Sequence, residues 1–430
     1  MKEHKRLWLK LDNAAKLYPA VRTKNWSNIF RLSVTLNENI DPVILQSALN
    51  VTIKRFPSIA MRLCKGFFWY YLEEVTEVPK VIPERPYPCS KMTSSEMKKC
   101  AFRVLYYQNR IAAEFFHSLT DGNGGLIFIK TLAAEYISQK HNVKIESGYG
   151  VFNRSEVPNS KEFEDSFLKY DGHVSASRRE STAYKISGTK EKDDFHHIIT
   201  GIVSLSDALA VSKEYGVSLT TFLVSVMIFS IIQIQDREVT NKKKQKPVKV
   251  LVPVNLRNYF ESTSMRNFVL YITPGIDANM GNFTFEEIVN IIHHQMKLQL
   301  TEKQMRARIT TNVKAEKNKF LKVLPLIIKN IGMKAMFSMV GEKKSCITMS
   351  NLGAVKVPEQ MNRFTERFDF SLGVQATGSN NCGILSYQDK LYINMIRNIR
   401  ESELERLFFT NLVSHGIAVA VESNQKGAVL

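Results

Sequence analysis

The chain has 430 residues, of which 44% are hydrophobic and 23% are charged, and this composition excludes a disordered or fibrous protein. Because this length exceeds what one hydrophobic core usually organises, we expect two lobes. The formal net charge is +18, which favours an anionic partner. The lysines are nevertheless spread along the chain and no nucleic-acid-binding motif is present, so we do not predict a nucleic-acid-binding protein.

Three further features bear on the compartment. The five cysteines include no C-x-x-C pair, which predicts a reducing, cytoplasmic location and argues against a disulfide or zinc framework. The charged start, Met1–Arg6, is not followed by an apolar segment with a cleavage site, so we predict no signal peptide. The apolar stretch 219–234 contains threonine, serine and glutamine and is shorter than the roughly 20 residues of a membrane span, which predicts a buried core helix.

Strand and helix patterns alternate in the first part of the chain. Residues 29–36 predict a strand, and Asp41 followed by Pro42 predicts a helix start, because aspartate caps helices and proline is favoured in the first turn. A strand at 67–72 and a proline-rich connection at 78–88 follow. Sheet and covering helices up to about residue 144 therefore predict an α+β lobe.

A candidate catalytic loop follows a predicted β-hairpin. The hairpin strands are 101–107 and 111–116, and the loop is His117-Ser118-Leu119-Thr120-Asp121-Gly122, before a helical pattern. A neutral imidazole can take a proton from a hydroxyl, amine or thiol, so His117 is a candidate general base. Asp121 can lock the loop, and Gly122 tolerates backbone angles that a side chain forbids. The alternative is a buried strand-end histidine beside a helix-capping aspartate.

The second part of the chain begins with a change in composition. Apolar periodicity fades between about 145 and 194, which predicts a crossover between lobes. We place the N-terminal lobe at 1–170 and the C-terminal lobe at 171–430. The methionines of the predicted helix 320–340 are expected in the core, and the lysine run 242–246 in a solvated loop. The predicted strands are 197–205, 249–254, 267–273, 346–350, 368–372, 384–387 and 391–396, and the predicted helices are 206–216, 219–234, 283–308, 320–340 and 401–415.

The loop His117–Gly122 resembles the H-x-x-x-D-G signature of the superfamily of condensation domains and chloramphenicol-acetyltransferase-like acyltransferases. Further stretches in the same order carry the resemblance along nearly the whole chain, and the opening one is similar to the bacterial alcohol acetyltransferase branch. These stretches are Trp8–Ala15 with Tyr18-Pro19, Arg55–Ser58, Val252–Arg257, Ser350–Gly353 and, as a partial match, Asp369–Gly373.

The resemblance implies an α+β fold of two similar chloramphenicol-acetyltransferase-like lobes, with mixed sheets, flanking helices and an active-site tunnel between them. It implies a CoA-dependent acyltransferase that moves an acyl group, in the first instance acetyl, from acyl-CoA to an alcohol or amine. The reaction would proceed in a ternary complex, with neither an acyl-enzyme nor a permanently bound cofactor.

The resemblance also implies roles for single residues. His117 would be the general base, and Asp121 would be structural, paired with Arg257. Ser350 and Asn351 are candidates for the oxyanion donor or the tunnel wall. Their alternative is a turn with local side-chain-to-backbone hydrogen bonds.

Two departures from the superfamily pattern matter. Phe116 stands where many condensation domains have a second histidine, which favours a free-standing acyltransferase. Asp369–Gly373 lacks the tryptophan and middle glycine of the related plant motif, so we predict a strand and turn there, outside the site. A carrier-protein-dependent condensation-type enzyme and a non-catalytic binding module stay open as alternatives. An acyl carrier protein and an anionic membrane surface stay open as partners.

We predict neither a metal site nor a hydrolase. Neighbouring histidines occur at His196-His197 and His293-His294, but adjacent side chains diverge and no H-x-x-x-H or cysteine partner is near. Ser118 lies beside His117, yet side chains of neighbouring strand residues also diverge, and no G-x-S-x-G elbow is present.

Overall fold

The computed structural model describes residues 6–22, 27–85, 87–176, 181–192, 195–318, 322–340, 342–374 and 378–424. Its α-helices are Leu17–Val21 (α1), Pro42–Arg55 (α2), Ser94–Lys99 (α3), Gly122–His141 (α4), Ser166–Lys169 (α5), Leu205–Glu214 (α6), Leu219–Glu238 (α7), Phe285–Gln299 (α8), Glu302–Lys317 (α9), Leu326–Val340 (α10), Glu359–Asn362 (α11) and Glu403–Ser414 (α12). Its strands are Trp8–Lys10 (β1), Ile29–Leu36 (β2), Met61–Lys65 (β3), Tyr70–Glu74 (β4), Ile82–Pro83 (β5), Phe102–Tyr107 (β6), Arg110–Phe116 (β7), His197–Ser204 (β8), Val248–Asn255 (β9), Val269–Ile272 (β10), Gly275–Ile276 (β11), Ile347–Val355 (β12), Thr365–Leu372 (β13), Asn380–Tyr387 (β14), Lys390–Arg397 (β15) and Ala420–Ser423 (β16).

Two mixed sheets form the centres of the two lobes. The first has the order β13-β2-β7-β6-β5, in which the last pair is parallel. The second has the order β10-β9-β12-β14-β15-β8-β16, and β12 runs parallel to both of its neighbours. The predicted fold class of mixed sheets with flanking helices is therefore confirmed. Beside the first sheet lies a small antiparallel sheet with the order β1-β4-β3.

One strand connects the lobes. Strand β13 comes late in the chain but pairs with β2 in the first sheet, where Phe370 lies opposite Leu32. The hydrophobic cores follow the same division, since Phe368 and Phe370 belong to the core of the first lobe. The core of the second lobe is built mainly around helix α7 and strands β9, β14 and β15. The division at residue 170 is thus crossed by a segment of the second half.

Helix α7 is the predicted apolar helix. It is long and apolar enough to span a membrane by length and composition alone, but 72% of its most apolar window is buried within the protein. Ser218 caps its start by accepting a hydrogen bond from the backbone of Thr221. The helix therefore lies in the core of the second lobe, as predicted.

Two predictions about helices were wrong. The single helix predicted at 283–308 is two helices, α8 and α9, because Thr301 leaves the helical conformation and caps the second one through the backbone N–H of Gln304. The methionines of 320–340 were expected in the core, but Met336 is 49% exposed. An apolar pattern on several faces of a helix does not show which face is buried.

Candidate active site

A cavity of about 790 Å³ lies between the two lobes. This volume is typical of sites that bind small molecules. The first lobe contributes Tyr18, Phe30 and His117 to its wall, and the second lobe contributes residues of strands β9, β10 and β12. A tunnel between the lobes was predicted, and this cavity lies in that place.

His117 reaches the cavity because it follows the last residue of strand β7. Phe116 is fully buried in the core of the first lobe, so the next side chain points the other way. The backbone N–H of His117 donates to the carbonyl of Asn28 at 2.9 Å. Tyr18 stacks on the imidazole with ring centres 4.5 Å apart, and the ring of Phe30 lies 4.9 Å away. These contacts fix the orientation of the ring.

Asn267, from the second lobe, determines which nitrogen of His117 carries the proton. Its amide nitrogen donates to the carbonyl of His117 at 3.0 Å and to a carboxylate oxygen of Asp12 at 3.3 Å. Both partners only accept, so the amide oxygen is the atom that faces the imidazole Nδ1, at 3.1 Å. An amide oxygen also only accepts, and Nδ1 is therefore protonated. In the neutral imidazole, Nε2 then holds a lone pair.

Burial lowers the pKa of the His117 imidazole below its ordinary value of 6.5. Hydrogen bonds to its own carbonyl and to Asn267, and the charge of Asp121, act in the opposite direction but do not offset the burial. The ring is therefore neutral at neutral pH. A neutral imidazole with a free Nε2 is the form that a general base requires.

Asp121 holds the loop through contacts with the helix that follows it and with the second lobe. One carboxylate oxygen accepts from the backbone N–H of Gly124 at 3.1 Å and caps helix α4. The other accepts from the guanidinium of Arg257 at 2.7 Å and from the backbone N–H of Phe268 at 2.9 Å. The carboxylate is 1% exposed, so it forms a buried connection between the lobes.

Arg257 completes this connection behind the cavity. Its guanidinium also donates to the carbonyls of Ser264 and Arg266, at 2.7 Å each. The structure thus brings Asp121 and Arg257 together. Their contacts orient the segment that carries Asn267, and the salt bridge therefore supports the histidine indirectly.

The glycines of the loop allow close packing at the seam. A Cβ on Gly124 would lie 2.7 Å from the carbonyl oxygen of Met265 and 2.1 Å from the hydroxyl of Thr120. For a Cβ on Gly122 the one close contact would be the flexible end of the Leu352 side chain, at 2.8 Å. Gly124, which had no predicted role, therefore has the stricter steric requirement, although Gly122 itself lines the cavity.

Ser350 and Asn351 both line the cavity on the second-lobe strand β12. The register of β12 against β14 shifts between Asn351 and Ala354, directly after these two residues. The amide of Asn351 donates to the hydroxyl of Thr220 at 3.0 Å and accepts from the N–H of Gly353 at 2.8 Å. Asn351 thus holds the turn, which leaves the Ser350 hydroxyl as the better candidate oxyanion donor.

The remaining residues singled out from the sequence take structural positions. Ser118 donates to the carbonyl of Ala15 at 3.1 Å. His197 contacts Glu191 at 2.9 Å, and His196 contacts the carbonyl of Pro88 at 3.1 Å. Within the described ranges, no group of three or more histidine, cysteine, aspartate or glutamate side chains could hold a metal ion.

Sequence reasoning missed several cavity residues. Phe370, Leu372 and Gly373 line the cavity, so placing Asp369–Gly373 outside the site was incomplete. Asn267 begins a predicted strand, and a lone asparagine in that position does not indicate that it binds the imidazole of His117. Tyr18 belongs to one of the stretches that carry the resemblance. Its contact with the imidazole could not be predicted, because the two residues are about a hundred positions apart.

No protein-family model matches the sequence, and a search of curated proteins finds no similar sequence. Solved structures do match. TRI101 from Fusarium sporotrichioides complexed with coenzyme A and T-2 gives a TM-score of 0.63 at 10% identity, covering 97% of this chain and 100% of that chain. TRI3 trichothecene 15-O-acetyltransferase from Fusarium sporotrichioides gives 0.60 at 10% identity, covering 95% and 94%. A starter condensation domain of rhizomide synthetase in complex with C8-CoA and Leu-SNAC gives 0.57 at 11% identity, covering 95% and 94%.

These likenesses extend over nearly the full length of each chain. The protein therefore has the two-lobe fold that such acetyltransferases and condensation domains share, and the resemblance found in the sequence is confirmed at the level of the fold. At about 10% identity the comparison shows the fold alone, and the reaction has to be argued from the site.

Proposed function

We propose that this protein is an acyltransferase that moves an acyl group from a CoA thioester to the hydroxyl or amine of a small acceptor. The observation that carries the proposal is the state of His117. Its imidazole is neutral, its Nδ1 is held by Asn267, and its Nε2 is left with a lone pair in a cavity between the lobes.

The proposed reaction is direct transfer in a ternary complex. His117 Nε2 takes the proton of the acceptor hydroxyl while the oxygen attacks the thioester carbonyl. The carbon–sulfur bond of the tetrahedral intermediate then breaks, and the proton on Nε2 passes to the leaving CoA thiolate. The imidazole returns to its starting form, and neither an acyl-enzyme nor a permanently bound cofactor is needed.

The oxyanion of that intermediate needs a hydrogen-bond donor. We assign this role to the hydroxyl of Ser350, which lines the cavity. The amide of Asn351 has a structural role, since it accepts from the N–H of Gly353 in the turn and donates to the hydroxyl of Thr220. Asp121 and Arg257 have no direct part in the chemistry in this proposal. They keep the His117 loop and the Asn267 segment at the distance that the base requires.

CoA thioesters are chosen as the acyl donor because of the comparisons and the net charge. TRI101 was crystallised with coenzyme A and the rhizomide condensation domain with C8-CoA, so this fold accommodates CoA thioesters in those proteins. The net charge of +18 would attract the phosphates of CoA. Acetyl-CoA is the donor to try first, and a cytoplasmic location would supply it.

The experiment is a thiol-release assay on the purified protein. Acetyl-CoA and longer acyl-CoAs are offered with a panel of alcohols and amines, and free CoA is followed. The proposal predicts acceptor-dependent release that falls about 10²–10⁴-fold in His117→Ala with the circular dichroism spectrum unchanged. Acceptor-dependent release that survives His117→Ala would contradict the assigned base.

One alternative has support from the comparisons, since a condensation domain shares the fold. A condensation-type enzyme would take its acyl group from a phosphopantetheinylated carrier protein. It would transfer the acyl group from an acylated carrier much faster than from free acyl-CoA. A protein with neither activity would be a non-catalytic binding module.

A further inference from the structure

The helix α10, Leu326–Val340, exposes several bulky apolar side chains to solvent. Ile327 and Ile331 are each 66% exposed, Ile328 is 51% exposed and Met336 is 49% exposed. At 100° per residue, these side chains and the exposed Gly332 and Ala335 cover one contiguous half of the helix. A water-facing helix normally has polar residues on that half.

The same helix turns a lysine inward. Lys329 is only 5% exposed, and its ammonium lies 3.6 Å from the ring centre of Trp69. It also donates to the carbonyl of Phe68 at 3.0 Å. On this helix a charged side chain therefore lies inside, while several bulky apolar side chains lie outside.

Two aromatic rings extend this surface. Phe67 is 73% exposed and Phe68 is 44% exposed, at the turn between strands β3 and β4. The backbone N–H of Leu326 donates to the carbonyl of Phe67 at 3.0 Å, so the turn lies against the start of α10. We call the surface formed by Phe67, Phe68, Val323, Ile327, Ile328, Ile331 and Met336 the apolar face. Contiguous apolar surfaces of this kind mark interaction sites.

The charged residues of α10 and of the segment just before it are all lysines. Residues 318–341 contain lysines at positions 319, 322, 329 and 334 and no aspartate or glutamate. The side chains of Lys322 and Lys334 are exposed, and so is Lys65, two residues before the aromatic turn. Isoleucine and phenylalanine bordered by lysine are the composition of helices that lie in the surface of an anionic bilayer.

We propose that the apolar face docks on the surface of an anionic lipid bilayer, with α10 lying in the interface. A second copy of this chain would bring the same lysines into contact with these, in a protein of net charge +18, so charge complementarity favours lipid over self-association. Phe337, on the inward half of α10, lines the cavity of His117. Docking therefore holds one wall of the cavity at the membrane.

The test is co-sedimentation of the full chain with vesicles of phosphatidylcholine containing phosphatidylglycerol, and with vesicles of phosphatidylcholine alone. The wild type is expected to bind the anionic vesicles and to be released by salt. The double substitution Ile327→Gln with Ile331→Gln should lower the partition coefficient about tenfold or more. Lys322→Glu with Lys334→Glu should remove the preference for anionic lipid.

The matched control is Val43→Gln, because Val43 is 77% exposed on helix α2, outside the apolar face. It should bind vesicles as the wild type does. Absence of wild-type binding to anionic vesicles, or equal loss in the control, would overturn the proposal. So would a dimer in light scattering that the Ile327→Gln and Ile331→Gln pair dissociates, since the apolar face would then be a contact between copies. None of these outcomes depends on acyl transfer.

Discussion

His117 and Asp121 are ionisable residues four positions apart on one loop, and their hydrogen-bond partners are of opposite kinds. Asp121 has a charged partner and three hydrogen bonds that occupy both oxygens. His117 has a neutral amide as the partner of one nitrogen. The difference separates a structural role from a chemical one. The contacts of Asp121 hold the two lobes together, whereas the neutral partner of His117 leaves the imidazole free to gain and lose a proton.

A second carboxylate, that of Asp12, lies behind the amide of Asn267. Asp12 is fully buried and accepts from the backbone N–H of Ala15 at 2.7 Å. Its other oxygen lies 3.3 Å from the amide nitrogen of Asn267 and 3.6 Å from the guanidinium of Arg266. Asp12 therefore orients the amide of Asn267, and this amide in turn orients the imidazole of His117. The imidazole thus has a neutral group as its direct partner.

The largest expected effect is on stability, and it comes from the structural residue Asp121. Asp121→Ala should lower the free energy of unfolding by ~3–5 kcal/mol, because it removes the carboxylate partner of the mostly buried Arg257 guanidinium and the cap of α4. His117→Ala should change it by about 1 kcal/mol or less, because that side chain faces a cavity. Urea denaturation of both variants measures the difference. An Asp121→Ala protein of full stability but no activity would place Asp121 in the chemistry.

The next largest effect is on kcat, and it concerns the oxyanion donor Ser350. Ser350→Ala should lower kcat about 10²–10³-fold while the folded structure is kept, since one oxyanion donor is lost. Asn351→Ala is the comparison variant, and it should lower stability because its amide holds the turn. Steady-state kinetics and thermal unfolding distinguish the two. An unchanged kcat in Ser350→Ala would show that the oxyanion is bound elsewhere.

A smaller effect concerns the seam between the lobes. Gly124→Ala should lower the free energy of unfolding by ~1–3 kcal/mol, because the new methyl group overlaps the carbonyl of Met265. Gly122→Ala should cost less, since the flexible end of Leu352 can move away. Thermal unfolding of the pair provides the measurement, and equal stability of the two variants would mean that the seam is not closely packed at Gly124.

The smallest effect is a change in pH dependence. A general base works when neutral, and burial keeps the pKa of His117 below 6.5, so kcat/KM should fall only below about pH 6.5. Asn267→Asp would place a carboxylate beside Nδ1 and raise that pKa, which should move the acidic limb upward by about one pH unit. Asn267→Ala should lower kcat without such a shift. A limb that Asn267→Asp leaves in place would contradict the contact.

Local patterns predicted much of this structure. The hairpin before His117, the Asp41 and Ser218 caps, and most strands of both sheets follow from periodicity and from residues with defined turn or cap preferences. The loop motif and its resemblance to known acyltransferases led to the correct fold. They also led to the residues Asp121 and Arg257, which the structure places in contact.

What could not be predicted depends on contacts between distant residues. Asn267 and Asp12 act on His117 through hydrogen bonds that cross 150 and 255 positions. The break at Thr301 depended on one cap competing with a continuous apolar pattern. The outward apolar side of α10 was hidden because both sides of that helix carry apolar residues, and only the packing shows that Lys329 faces inward.

The most direct test of the account is the protonation state of His117 in solution. Nitrogen-15 NMR of histidine-labelled protein, with His117→Gln to assign the resonance, reports each ring nitrogen separately across a pH titration. We expect a neutral ring near pH 7, with the proton on Nδ1, the lone pair on Nε2 and a pKa below 6.5. A ring that is charged at pH 7, or that carries its proton on Nε2, would contradict the assignment of His117 as the base.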